Sequence, residues 1–334
     1  MKTFIPENYK ADMSLYDTQN AISLTKKIFE EKLSKALNLK RVSAPLFVEK
    51  DSGLNDDLDG KAKAVDFNIP SIGKEGVVVH SLAKWKRKAL YDYGFHVGNG
   101  LYTDMNAIRK DEKLDNIHSI YVDQWDWEKV ITKEERNLDY LFSTVKKIHE
   151  VIIDTSLELN KKYPSTNINL NKDIHFVNSA DLIDEYPNMD AKQREYEVVK
   201  KYKSVFIYGI GYKLKDGKPH DLRSSDYDDW NLNGDLLYYD ELLDIALELS
   251  SMGIRVDSDS LSKQLKEANE EYKTKFTYHK MILNNELPLT IGGGIGESRL
   301  CMLLMNKAHI GEVQSSIWDE ETLKLAKEKG VIIL

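Results

Sequence analysis

The run LTIGGGIGESRLCMLLM, residues 289–305, sets four glycines in five positions ahead of Glu-Ser-Arg and an apolar segment with helical spacing. A backbone this bare allows close strand–helix packing and positive φ. It also lets a ligand approach the main chain at a helix N-terminus, where anions are favoured. Arg299, just inside the helix, would add a cation to such a site. Gly292, Gly293, Gly294 and Gly296 alone fit either a packing device or a nucleotide floor. Two common nucleotide motifs are excluded. The pattern Gly-x-Gly-x-x-Gly meets Arg299 at its last place, and the nearest P-loop candidate, Gly211 to Gly217-Lys218, has the wrong spacing and runs into Pro219.

Carboxylates in apolar strands are the second chemical signal. HSIYVDQWDWEKV (118–130) alternates, with Ser119, Tyr121, Asp123, Trp125 and Trp127 on one face and Ile120, Val122, Gln124, Asp126 and Glu128 on the other. The second face turns polar mid-strand, as an edge strand entering water or a central strand lining a polar cavity would, and the tryptophans behind it favour the cavity. LDIALELSSMGIRVD (243–257) places Ala246, Glu248 and Ser250 on one face. A mid-strand glutamate there is expensive unless it meets a cation. Asp235 on the preceding strand would supply a second carboxylate for a hard cation such as Mg²⁺, which takes few carboxylates together with phosphate oxygens.

These residues need elements to hold them. Ile22, Phe29, Leu33 and Leu37 form the apolar stripe of a helix over 18–37. RVSAPLFVEK (41–50) reads as a strand whose Pro45 suits an edge or interface. Residues 51–60 read as an acidic loop. In 77–94 a β-branched run leads to Ser81 at an N-cap position, then a helix on which Lys84, Lys86, Arg87 and Lys88 would ordinarily be solvated. Residues 101–110 form a short strand ending in an arginine. Helices are expected over 134–161, 191–203 and 260–285, and strands over 204–211, before Asp240, and over 243–257. No repeat or flexible linker interrupts the chain, so one domain spanning 1–334 is expected. Hairpin-linked strands with helices at the start, middle and end indicate an α+β fold with a central, mainly antiparallel sheet flanked by helices.

The 334 residues are 41% hydrophobic, enough for a sizeable core, and carry a net charge of −8. An acidic chain without a long basic tract argues against nucleic acid as the main ligand. The sequence shows no apolar leader and no run of about 18 apolar residues, so a cytoplasmic location without membrane attachment is expected. Cys301, the one cysteine, lies among apolar residues and reads as a buried, inert thiol. The eight histidines show no zinc spacing, and His149-Glu150 reads as a surface pair.

In this order the segments resemble the catalytic core of class II aminoacyl-tRNA synthetases, especially the aspartate and asparagine enzymes. The first helix with VSAPLF is similar to motif 1, AIRKDE…HSIYVDQWDW to motif 2 and GGGIGESRL to motif 3. VVHSLAKWKR, HSIYVDQWDWE, DYDDW, LNGD, ELSSMGIRVD and TIGGGIGESRL resemble more closely the ammonia-dependent asparagine synthetase (aspartate–ammonia ligase) family, over essentially the whole chain. That resemblance implies ATP, Mg²⁺, L-aspartate and ammonia as ligands, a β-aspartyl-AMP intermediate, and a homodimer built on motif 1. It implies Arg109 on the α-phosphate and Arg299, His118, Ser119, Gly292, Gly293 and Gly294 about ATP. Asp235 and Glu248 would hold Mg²⁺. Lys86 and Gln124 would fix the substrate's carboxyl groups, with Ser81, Asp126, Asp228, Ser251 and Arg255 completing that pocket, and Asp56 would meet the amino group or the incoming ammonium. The synthetases' motif 2 arginine is usually followed two places on by glutamate; here Asp111 stands there and Glu112 follows, leaving two candidates for the adenine edge. A synthetase-like tRNA-binding protein or an amino-acid sensor is the alternative use of such a core.

Overall fold

The computed structural model describes residues 2–56, 63–166, 168 and 170–334. Among them the chain runs through α1 (Leu15–Leu37), β1 (Leu39–Arg41), β2 (Phe47–Glu49), β3 (Asp66–Ile69), β4 (Lys74–Val78), α2 (Ala83–Asp92), β5 (Gly100–Ile108) and β6 (Tyr121–Val130). It continues through α3 (Leu138–Lys162), β7 (His175–Asn178), α4 (Ser179–Glu185), α5 (Ala191–Tyr202), β8 (Ser204–Tyr208), β9 (Asp228–Asp240) and β10 (Ile245–Arg255). The last elements are α6 (Ser258–Glu267), α7 (Thr277–Leu283), β11 (Thr290–Gly296), α8 (Glu297–Leu304) and α9 (Glu320–Glu328).

Eight strands form one sheet in the order β1-β5-β6-β11-β10-β9-β8-β7, and β2-β4-β3 form a small antiparallel sheet beside it. The edge pairs β1/β5 and β7/β8 are parallel and every other pair in the large sheet is antiparallel. The expected α+β architecture is therefore present. β5/β6 and β9/β10 are hairpins, while β11 inserts between them, pairing with both.

The two faces of the large sheet do different work. Trp125, Trp127, Met252, Ile254 and Ile295 point to an apolar layer closed by Phe29 of α1, Ile148 of α3 and Leu300 of α8. Phe29 and Trp125 sit with ring centroids 4.5 Å apart. α1 starts where the Ser14 hydroxyl accepts from Asp17 N (3.1 Å) and stops at Asn38, whose φ of 58° is left-handed. On the opposite face a cavity is lined by polar side chains of β6 and β10, with Ala83 and Lys86 of α2 beside them.

Several expectations need correction. Residues 41–50 do not make one strand: the chain breaks at Pro45, which has no N–H for a ladder, and β1 and β2 enter different sheets. Of the acidic loop 51–60, residues 57–60 lie outside the described residues. The helix expected over 260–285 is α6, a 3-10 turn and α7. Helix α2 begins at Ala83 with Leu82 at the cap, and the Ser81 hydroxyl accepts from Ala83 N at 3.0 Å instead. Lys84, Lys86 and Arg87 are buried, with only Lys88 outside, paired to Asp92 four residues on. His149 is no surface residue: it is 2% exposed and its Nδ1 lies 2.7 Å from the Tyr238 hydroxyl.

Candidate active site

All the residues singled out from sequence except Gly292 and Asp235 line one cavity, beside Glu112, Asp123, Tyr227 and Gln314. β6 is its central wall. Gln124 and Asp126 face inward because Trp125 and Trp127 are committed to the apolar layer behind, so the two-residue period of the strand leaves the polar set on the cavity side. β10 departs from that simple period. A bulge between Glu248 and Ser250 reverses the parity, so Glu248 and Ser251 both line the cavity while Ser250, assigned from sequence to Glu248's face, is buried elsewhere.

At one end each buried cation is matched to acids. Arg255 donates from Nε to Glu128 Oε1 (3.0 Å), from Nη2 to Glu128 Oε2 (2.7 Å), and from Nη1 to Asp228. Thr290 Oγ1 also donates to Glu128 (2.6 Å). Burial works against the Glu128 charge, yet Arg255 holds its carboxyl below the usual range; for Asp228 burial wins and the carboxyl is raised. Lys86 donates to Asp126 Oδ1 (2.5 Å) and to the Gly293 carbonyl (2.9 Å), and burial lowers its pKa against the pull of Asp126. Asp126 keeps Oδ2 buried and without a partner. Asp56 is set by its neighbours: its carbonyl lies 3.2 Å from His80 Nδ1, and Asn55 accepts from His80 N at 2.8 Å.

The other end is built differently. Among the described residues Arg299 donates only to main-chain carbonyls, from Nε to Ile117 (3.3 Å) and from Nη1 to Glu248 (3.0 Å). Arg109 follows β5, with its main-chain N–H donating to the Ile120 carbonyl (2.8 Å). It is half-buried, and among the described residues neither guanidinium is ion-paired. His118 is oriented by Asp115, at 2.9 Å from Nδ1; burial opposes the Asp115 charge, but His118 and two main-chain N–H groups hold its carboxyl at about 2. Glu112 lines the cavity, whereas Asp111 accepts from Lys63 N at 3.4 Å. Of the two acids after Arg109, Glu112 is the one that faces the cavity.

Asp235 lies behind Glu248, outside the lining, and is bonded to Arg223. Burial pushes its carboxyl up to about 7 against Arg223, with Glu248 adding, and Oδ1 is buried without a partner.

The glycines of β11 serve packing and floor at once. A Cβ on Gly292 would stand 2.0 Å from Glu128 Oε2 and 2.7 Å from Arg255 Nη2; on Gly293, 2.5 Å from Met252 Cβ; on Gly294, 2.4 Å from Gln124 Oε1. The strand is bare because side chains from β6 and β10 occupy the space above it.

The family model for aspartate-ammonia ligase matches residues 16–330. This chain belongs to that family. It is 55% identical over 334 residues to the aspartate–ammonia ligase of Clostridium perfringens strain SM101, covering all of this chain and 99% of the relative. The corresponding ligase of Ligilactobacillus salivarius strain UCC118 is 54% identical over 336 residues, with both chains fully covered. Among solved structures, asparaginyl-tRNA synthetase from Pyrococcus horikoshii complexed with asparaginyl-adenylate superposes with a TM-score of 0.65 at 16% identity, over 93% of this chain and 73% of that one. Its asparaginyl-tRNA synthetase counterpart from Entamoeba histolytica gives 0.66 at 13%, over 92% and 71%. The class II synthetase fold expected from sequence is thus present.

Sequence reasoning left out Glu128, Tyr227 and Gln314. Glu128 had been visible as the third polar residue on β6's inner face, and Tyr227 lies within DYDDW. Gln314 comes from an irregular segment after α8, where no periodicity signals it. We expect Gly292→Ala to lower stability by roughly 3–5 kcal/mol, the scale of a disrupted buried ion pair. Urea denaturation measures this, and a loss below about 1 kcal/mol would contradict the tight packing of Glu128 and Arg255 over Gly292.

Proposed function

We propose that the protein is an AMP-forming aspartate–ammonia ligase, acting as a single catalytic unit. The observation that carries this reading is the division of charge in the cavity. Lys86 and Arg255 are spent on Asp126, Glu128 and Asp228, whereas Arg109 and Arg299 make no ion pair among the described residues. The first end suits a zwitterionic amino acid. Lys86, Gln124 and Arg255, with Ser81 and Ser251, would meet its carboxylates; the open Oδ2 of Asp126 and the carboxylate of Asp228 would meet its ammonium. The second end suits a polyphosphate.

The chemistry follows from that layout. A β-carboxylate oxygen of aspartate attacks the α-phosphorus of ATP, the bond to the β-phosphate bridging oxygen breaks, and pyrophosphate leaves. Arg109 lies where charge builds on the α-phosphoryl oxygens, and a fixed guanidinium in a site shielded from water stabilises it strongly. Arg299, His118, Ser119 and the main chain at Gly293 and Gly294 hold the nucleotide, with Glu112 toward the adenine edge; Gly292, beneath the Glu128–Arg255 pair and outside the lining, takes no part. Ammonia then attacks the acyl carbon of β-aspartyl-AMP and AMP leaves. Ammonium must give up a proton first, and Asp56 is the carboxylate assigned to bind it or take that proton. Glu248 is the carboxylate in the cavity that would meet a hard divalent cation, which would neutralise the leaving pyrophosphate; Asp235, outside the lining and bonded to Arg223, would join it only by turning from that arginine.

The family relationship and the filled positions favour the ligase over a tRNA-binding or sensing role. Incubation with aspartate, ATP and ammonium should give equimolar AMP and asparagine, and glutamine should not replace ammonium. The buried Cys301 thiol, raised by burial, is no nucleophile for glutamine hydrolysis. ADP as the nucleotide product would refute the reading. Arg109→Ala should cut the rate roughly 10²-fold or more, the scale of one lost charge-stabilising donor, without unfolding the chain; near-parental turnover would remove Arg109 from the chemistry.

The motif 1 region is assigned to a two-fold dimer. Leu46, Phe47 and Phe67 stand exposed beside the Pro45 break, with the two phenylalanine rings 5.0 Å apart. Such an apolar patch favours an isologous contact. Sedimentation equilibrium at micromolar concentration should give twice the 38.4 kDa chain mass; a fully active monomer would exclude the dimer.

A further inference from the structure

Behind the nucleotide end of the cavity, α1, β6 and α8 meet around one lysine. Lys26 Nζ lies 3.2 Å from Asp123 Oδ2 and 2.8 Å from Glu297 Oε2. Asp123 also accepts from Ser298 N (3.2 Å), Ser298 Oγ (2.7 Å) and Gln314 Nε2 (3.0 Å). Glu297 opens α8, is 5% exposed, and keeps Oε1 buried without a hydrogen-bond partner. One ammonium therefore serves two buried carboxylates.

The electrostatics agree with the geometry. Burial works against the Lys26 charge, but Asp123 and Glu297 outweigh it and hold its pKa up. Burial pushes the Glu297 carboxyl up to about 7 against Lys26, with Asp123 and Asp104 of β5 adding. The remaining titratable neighbours are Tyr121 on β6 and Cys301 on α8, both raised by burial and so neutral near pH 7. Among the described residues Lys26 is the only cation paired with Asp123 or Glu297, while Asp104 is bonded to Arg41.

Position in the chain gives the cluster its consequence. Asp123 immediately precedes Gln124, whose side chain faces the cavity. Glu297 stands two residues before Arg299, which is anchored to the Ile117 and Glu248 carbonyls. We propose that Lys26 is a positioning residue for the nucleotide half of the site: by holding Asp123 to Glu297 it fixes the start of β6, just after His118 and Ser119, against the Arg299 helix. The inference rests on the ligase reading above. Without Lys26, two carboxylates face each other with little water, and the repulsion is relieved either by separation of β6 and α8 or by uptake of a proton.

The test compares Lys26→Met, Glu297→Gln and the double variant with the parent chain. KM for ATP and kcat are measured at saturating ammonium between pH 6 and 9. Each value is taken as a ratio to the parent at the same pH, so that ammonium ionisation cancels. Lys26→Met should raise KM for ATP about tenfold at pH 8.5, the scale of coupling within one salt-bridge network, with kcat within about threefold. The KM ratio should fall toward unity at pH 6, where the second carboxyl is protonated. Removing that carboxyl should act like the proton, so the double variant should stay within about threefold of the parent throughout. A pH-independent ratio for Lys26→Met, or a double variant as impaired as the single one, overturns the proposal. Should Lys26→Met fail to fold above neutral pH, the double variant decides: it must fold there and keep its near-parental KM. A parent chain that makes no asparagine fails the ligase reading instead, before any variant is compared.

Discussion

The buried ion pairs across β11 are the constraint on which the rest of the structure depends. Glu128 reaches over Gly292 to Arg255, and Lys86 reaches Asp126 and the carbonyl of Gly293. Removing one partner of such a pair costs on the order of 3–5 kcal/mol, because the other charge stays buried. The strand between must therefore be bare, and β6 and β10 must keep the register that brings their acids and cations together. Helix α2 is held by the same demand: Lys84 bonds Asp226 at 3.1 Å, while Arg87 donates to the carbonyls of Pro288 (2.9 Å) and Val256 (2.7 Å). A basic run that would ordinarily be solvated is buried instead, and Lys86 from it lines the cavity.

This arrangement also separates two kinds of cation. Lys86 and Arg255 are neutralised in place, so in the proposed reading a zwitterion binds beside them without a large change in net charge. In the proposed reading, Arg109 and Arg299 hold their charge in reserve for a phosphate chain. The apolar layer on the other side of the sheet keeps both sets fixed, since Trp125 and Trp127 alternate with Gln124 and Asp126 on the same strand. Packing behind and chemistry in front are two faces of one two-residue period.

That period made much of the site legible in the sequence. The polar face of β6, the glycine strand ahead of Arg299 and the mid-strand Glu248 were visible as exceptions to ordinary burial. What stayed hidden has local physical causes. The bulge in β10 depends on its pairing with β9, so Ser250 was placed on the wrong face. Burial of Lys84, Lys86, Arg87 and His149 depends on partners far along the chain, which helical periodicity does not report. Pro45 suits an edge or interface strand, and β1 and β2 are both edge strands, but that the proline separates them into two sheets is not legible locally. Asp235 was grouped with Glu248 on strand position, and its bond to Arg223 came only with the fold.

In the proposed reading Arg109 and Arg299, without an ion pair among the described residues, receive an α-phosphoryl group attacked by the substrate's β-carboxylate. Aspartate labelled with ¹⁸O in both β-carboxylate oxygens tests it most directly. If β-aspartyl-AMP forms and ammonia cleaves its acyl–oxygen bond, each AMP released should carry one ¹⁸O atom and pyrophosphate none. Label recovered in inorganic phosphate, or AMP that carries none while asparagine is made, would contradict the account.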